Sequence, residues 1–213
     1  MLKLLIFDMD GTTCDTDLLL TLTWLELYKK FKPGYIPHLD TIVTFSGPPI
    51  KESLKKEFPD VPLETSLPLF QKISRSYYDE YVDSYPGEVE ALKQLKKIGY
   101  KLAINTNKQH DFAVYVLKLL KLEDDFEVVV GGGDTKESKP SPEGVYKILS
   151  HFPNIKKEET LYIGDSFYDI LTAKNAGVKS MLVTWGPRKI DPTLHPDYFL
   201  ENYGELVEKL KSL

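Results

Sequence analysis

The sequence predicts an α/β protein: a parallel sheet with helices on both faces, interrupted after its first strand by a small all-helical unit. Three observations carry this prediction. Short apolar runs recur along the chain, and stretches with apolar residues at helical spacing fill the intervals between them. The first run ends abruptly on an aspartate-rich turn. From 15 to 84 the alternation stops, and only helical patterns remain.

Taken in order, Leu4 to Phe7 (LLIF) reads as a central strand, because four unbroken apolar residues suit a position buried on both faces. The helical patterns that follow cover Leu18 to Phe31, Ile50 to Phe58 and Leu67 to Val82, separated by Pro-rich loops at Lys32 to Pro37 and Ser46 to Pro49. The two ends of this insertion, Asp15 to Asp17 and Tyr85 to Gly87, are expected to lie close together and to act as hinges. The alternation then resumes with helix Glu88 to Ile98, strand Lys101 to Asn105, helix His110 to Leu120 and strand Phe126 to Val130. Helix Pro142 to Leu149, strand Thr160 to Ile163, helix Phe167 to Ala176 and strand Lys179 to Thr184 complete it. Gly99 and Gly177 follow two of these helices and read as C-caps. The expected division is a core of residues 1–14 and 85–213 with a cap of residues 15–84.

Composition bounds the function. The formal net charge of −5 argues against a nucleic-acid or anionic-membrane partner. Cys14 is the single cysteine, so no intramolecular disulfide forms, which suits a reducing cytoplasm. The opening MLKLLIF is too short an apolar run for a signal peptide, and no later run is long enough to span a bilayer. A cytoplasmic protein, monomeric or homodimeric, acting on a small molecule is expected.

The chemistry gathers at strand ends. Asp8 and Asp10 follow the first strand two residues apart, so an extended chain projects both to one side, at the sheet edge where open α/β sheets bind ligands. Two carboxylates about 4 Å apart repel by roughly 4 kcal/mol at an effective dielectric of 20, and a bound phosphate adds comparable repulsion. The site therefore requires a cation, and Mg²⁺ is the fitting one, since it takes oxygen ligands and bridges one or two carboxylates to phosphate. GDSFYD, Gly164 to Asp169, follows another strand: Asp165 stands at its carboxyl end, Ser166 is placed to cap the next helix, and Asp169 faces back one turn along. NTNK, Asn105 to Lys108, ends a third strand, and Thr106 and Asn107 offer donors to phosphate oxygens near a helix N-terminus. In ESKPSPEG, Lys139 stands before two prolines ahead of a helix, after a Gly-rich loop. Gly131 to Gly133 lack the spacing of a dinucleotide loop, and the four histidines, His38, His110, His151 and His195, lack ligand spacing for zinc. The pair Tyr77 and Tyr78 reads as packing in the insertion, with one ring able to face a substrate.

In order and approximate spacing, FDMDGT, Thr106-Asn107, Lys139-Pro140 and GDSFYD resemble the four motifs of the haloacid dehalogenase superfamily. The insertion resembles that superfamily's helical cap, and SGPPI, YPG, TNK and GGGD are similar to its phosphoglycolate-phosphatase-type members. The resemblance implies a Rossmann-like core and a Mg²⁺-dependent phosphatase. In it Asp8 is the nucleophile that forms an aspartyl-phosphate, and Asp10 is general acid and then base. Asp8, Asp165 and the backbone carbonyl of Asp10 would hold Mg²⁺. Gly11, Thr12, Thr106, Asn107 and Lys139 would contact the phosphate, and Ser166 and Asp169 would support the site from behind. The alternatives are an inorganic pyrophosphatase, a sugar phosphomutase and a non-catalytic phosphate sensor. Dehalogenation is disfavoured by Asp10, and a sensor has no need of that residue.

Overall fold

The computed structural model describes residues 1–188, 191 and 193–213. Its sheet has the strand order β3-β2-β1-β4-β5-β6, and every neighbouring pair is parallel. The strands are β1 (Leu4–Phe7), β2 (Lys101–Gln109), β3 (Val128–Gly132), β4 (Thr160–Gly164), β5 (Lys179–Val183) and β6 (Tyr198–Leu200). β1 lies inside the sheet, paired with β2 and β4, which is why its four residues are all apolar and all buried.

Side chains alternate along each strand and feed two separate cores. Leu5 and Phe7 of β1 join Leu102, Ile104, Leu161 and Ile163 on one face. Leu4 and Ile6 join Ala103 and Tyr162 on the other. Helices α5 (Glu88–Ile98), α6 (His110–Leu119) and α9 (Tyr203–Lys211) close the first face through Leu92, Val116 and Leu206. α7 (Glu143–His151) and α8 (Phe167–Ala176) close the second through Val145, Ile148 and Ala173. Gly99 and Gly177 cap α5 and α8 in the left-handed conformation, as read from the sequence.

Between β1 and α5 run α1 (Asp17–Phe31), α2 (Leu39–Val43), α3 (Ile50–Glu57) and α4 (Leu63–Tyr81), which carry a third core of their own. It is aromatic and centred on Trp24, whose ring lies 4.2 Å from Phe45 and 5.8 Å from Phe70, centroid to centroid. The two crossings of this segment are tied together, since Asp15 N–H donates to Asp83 O at 2.8 Å and Asp83 N–H to Asp15 O at 3.3 Å.

Some elements differ from the sequence reading. α4 begins at Leu63, a turn ahead of the expected start, so Pro68 lies inside the helix while Pro62 holds the N-cap position. α2 is too short to show a period, and β6 and α9 fall beyond Thr184, where no element was expected. β2 continues to Gln109, so Thr106 and Asn107 lie on an extended strand rather than at the N-terminus of α6. Among the described residues, no helix is long and apolar enough to cross a membrane.

Candidate active site

The carboxyl edge of β1, β2 and β4 gathers the acidic residues. Asp8 leaves the end of β1, Asp165 the end of β4, and Asp169 the first turn of α8; their carboxylate oxygens lie within 4.8 Å of one another. Each is buried. Lys139, on the loop before α7, puts Nζ 2.8 Å from Asp8 Oδ1 and 2.6 Å from Asp169 Oδ1, with its own side chain 3% exposed. Asp169 spends its other oxygen on the start of its own helix, accepting from Ser166 N–H at 3.0 Å and Ser166 Oγ at 2.5 Å. Ser166 and Asp169 thus lock the end of β4 to α8, and Gly164 lets them approach, since a Cβ there would meet Asp169 Cγ at 2.3 Å.

Asp10 turns the other way. Its carboxylate is clasped by Lys108 Nζ at 2.6 and 2.9 Å and accepts from Thr16 Oγ1 at 2.8 Å. Lys108 Nζ also lies 5.1 Å from the ring centroid of Tyr78 on α4, so this ion pair faces the helical segment. The Asp10 carboxylate is therefore outside the acidic cluster, a correction to any reading of its side chain as a metal ligand. The backbone carbonyl that the family resemblance implies asks nothing of that side chain.

Asp8, Asp10, Thr106, Lys108 and Lys139 line one cavity, closed on the far side by Leu20, Phe45, Ile50, Phe70 and Tyr78 of the helical segment. Asn107 lines it as well, but its amide is already used. Its Oδ1 accepts from Lys139 N–H at 2.9 Å, and its Nδ2 donates to Gly47 O at 2.9 Å. Thr12 does not line this cavity. After Met9 the chain makes a helical turn, with N–H of Thr12, Thr13 and Cys14 all donating to Met9 O, and this buries the Thr12 side chain completely. Gly11 instead permits a close approach: at φ +82°, a Cβ there would meet Asp165 Oδ2 at 2.2 Å. The expected phosphate contact at Thr12 is thus not formed by its side chain. Of the tyrosine pair, Tyr78 reaches the cavity and Tyr77 does not.

Two functional candidates escape the sequence reading. Lys108 belongs to NTNK and reaches the cavity because β2 runs on to Gln109, its pairing with β3 irregular after Asn105. Arg188 pairs with Asp165 at 2.6 Å and with Asp17 at 3.1 Å; no local pattern announces it.

Electrostatics favour a further cation. Burial first, then the neighbouring Asp169 charge, push Asp8 up to about 6 against the pull of Lys139. Burial likewise drives Asp165 well above the usual carboxylate range despite Arg188. Asp8 Oδ1 and both oxygens of Asp165 are buried with no donor in hydrogen-bond geometry; Lys139 and Arg188 stand at ion-pair distance but off line. Asp8, Asp165 and Asp169 have only Lys139 and Arg188 as contacting cations, so three buried carboxylates meet two positive charges. An all-oxygen donor set with free lone pairs on Asp8 and Asp165 fits Mg²⁺.

A family model described as haloacid dehalogenase-like hydrolase matches residues 5–183. Pyrophosphatase PpaX of Halalkalibacterium halodurans is 35% identical over 205 residues, 95% of this chain and 94% of that protein. A solved structure of a "predicted phosphoglycolate phosphatase" from Haemophilus somnus superposes with a TM-score of 0.82 at 25% identity, covering 98% of both chains. That of a "predicted phosphatase" from Clostridium acetobutylicum gives 0.82 at 27% identity over the whole of both.

Proposed function

The chain belongs to the haloacid dehalogenase-like hydrolases, and from that premise we propose that it is a Mg²⁺-dependent phosphatase acting on a small phosphate monoester through an aspartyl-phosphate on Asp8. The observation that carries the reading is the buried Asp8 carboxylate, which faces the same cavity as Asp10 and is flanked by Lys139. Asp8 attacks phosphorus in line with the leaving oxygen, Asp10 supplies that oxygen's proton, and in the second step Asp10 takes a proton from the attacking water. Lys139 and Thr106 balance charge on the transferring group. Mg²⁺ held by Asp8 and Asp165 would neutralise phosphate oxygens and orient the in-line attack. The helical segment acts as a cap that keeps bulk water away, hinged near the Asp15–Asp83 pairing.

Leu20, Phe45, Ile50 and Phe70 on the cap side of the cavity support an organic leaving group, because inorganic diphosphate has no apolar surface to bury. A second reading, inorganic pyrophosphate, is supported by the name of the 35% identical relative and by two lysines, Lys108 and Lys139, facing one cavity. Phosphate release over a panel of phosphate monoesters and pyrophosphate, with Mg²⁺ and with excess EDTA, tests both. The expected result is turnover that EDTA abolishes and Mg²⁺ restores, with kcat/KM highest for a monoester. Highest kcat/KM for pyrophosphate selects the second reading, full turnover in excess chelator removes the metal, and sugar phosphate isomerisation without phosphate release points to a mutase.

A further inference from the structure

Arg188 is one of two arginines beside twenty-five lysines, and its side chain is only 11% exposed. Its guanidinium stands where three parts of the chain meet. Nη1 lies 2.6 Å from Asp165 Oδ2 at the end of β4. Nη2 lies 3.1 Å from Asp17 Oδ1 at the start of α1 and donates to Ser46 Oγ at 2.7 Å in the loop before α3. The bonds to Asp17 and Ser46 have hydrogen-bond geometry. The approach to Asp165 does not, so both carboxylate oxygens there lack a donor. Asp165 is thus neutralised while its lone pairs remain unused. A planar fork suits this division, since one nitrogen can stay with the helical segment while the other is given up.

The loop that Arg188 holds also closes the site. Asn107 donates to Gly47 O from the opposite side, and Gly47, at φ +104°, packs so tightly that a Cβ would meet Ser166 Oγ at 3.2 Å. Residues 46 and 47 are therefore clamped between the ends of β2 and β4.

We propose that Arg188 is a resident counter-cation that competes with a divalent metal for Asp165 and links that competition to the helical segment through Asp17 and Ser46. It is a positioning residue, and its role rests on the metal reading above. A divalent ion on Asp165 leaves the guanidinium to Asp17 and Ser46. Removing Arg188 removes a positive charge within contact distance of the ligand, so metal binding tightens while the loop loses an anchor.

Calorimetric titration of Mg²⁺ into the full chain tests this, together with hydrogen exchange at Phe45 to Gly47. Arg188→Met is expected to lower the Mg²⁺ Kd about tenfold and to speed exchange in the loop, and Arg188→Lys to restore much of the wild-type Kd. Unchanged or weaker Mg²⁺ binding by folded Arg188→Met overturns the proposal, and a loss of inorganic phosphate binding with unchanged Mg²⁺ affinity reassigns Arg188 to phosphate. Should Arg188→Met not fold, Asp17→Asn and Asp15→Asn decide. Both remove one nearby charge, but only Asp17 holds the guanidinium away from Asp165, so Asp17→Asn is expected to weaken Mg²⁺ binding more, and equal losses overturn the proposal. Absence of Mg²⁺ binding by the wild type overturns the metal reading itself, whereas binding indifferent to Arg188 overturns this inference alone.

Discussion

Two lysine–aspartate clusters line the cavity, and they are built differently. In the first, Lys139 is shared by Asp8 and Asp169, and all three side chains are at most 3% exposed. In the second, Lys108 holds Asp10 alone, Asp10 is 17% exposed, and the pair leans on Thr16 and Tyr78 from the start and end of the helical segment. Burial would pull both lysines down, but the aspartates outweigh it and raise both above the ordinary lysine range. The difference lies in what surrounds them. The first cluster is fixed by sheet, loop and helix start of the core, whereas the second is built partly from the helical segment, through Thr16 and Tyr78. In the reaction proposed above, the first holds the reacting phosphorus and the second meets what leaves it.

The largest effect is expected at Asp8. Asp8→Asn keeps the shape and Lys139's neighbour but removes the attacking oxygen, so kcat falls by several orders of magnitude with an unchanged circular dichroism spectrum. A folded variant retaining a tenth of the rate would reassign the nucleophile.

Next come the lysines themselves, whose contrast sharpens the comparison. Lys139→Met leaves Asp8 and Asp169 facing each other without a cation. Breaking a buried pair in this way costs about 3–5 kcal/mol of stability, and turnover should fall by about 10²–10³-fold on every substrate. Lys108→Met strands a more exposed carboxylate that Thr16 still supports, so the expected cost is about 1–2 kcal/mol. Its rate loss should be about tenfold and should vary with the leaving group. Thermal melts and kcat/KM over two leaving groups of different charge check both. Equal, substrate-independent losses would erase the distinction between the two clusters.

This contrast also marks how far the sequence can be read. Lys139 is legible because two prolines and a Gly-rich loop isolate it at a strand end, Asp8, Asp10 and Asp165 because apolar runs stop just before them, and Asp169 because it follows Asp165 by one helical turn. The parallel sheet is legible for the same reason, since strands buried on both faces are written as unbroken apolar runs. Lys108 is hidden by the expectation that β2 ends at Asn105; four more extended residues turn it toward the cavity. The side chain of Thr12 is misplaced because hydrogen bonding to Met9 O winds the chain after Asp10, a tertiary choice that FDMDGT does not announce. Arg188 meets Asp17 across 171 residues, a distance that no local pattern spans. β6 is three residues long and lies at the sheet edge, too short to show a period.

Glu88 supplies the control, a buried carboxyl with no lysine at all. It lies in the first turn of α5, fully buried, with Oε2 accepting from Tyr85 N–H at 3.0 Å and Oε1 without a donor. Burial above all, opposed by that hydrogen bond, pushes it up to about 9 from an ordinary 4.5. Because the folded value is the higher one, the folded state keeps the proton where the unfolded chain has already lost it. Stability is therefore fullest below pH 4.5, falls by about 1.4 kcal/mol per pH unit as pH rises toward 9, and levels off once the folded group has ionised too. Glu88→Gln cannot ionise and can still accept from Tyr85. Its stability relative to wild type should be nearly level at pH 4.5 and climb steadily to pH 9, with kcat almost unchanged because Glu88 does not line the cavity. Denaturant melts across that range read the slope directly. A flat difference would mean that Glu88 is compensated in the fold as Asp8 is by Lys139, and the contrast between a buried acid with a cation and one without would lose its control.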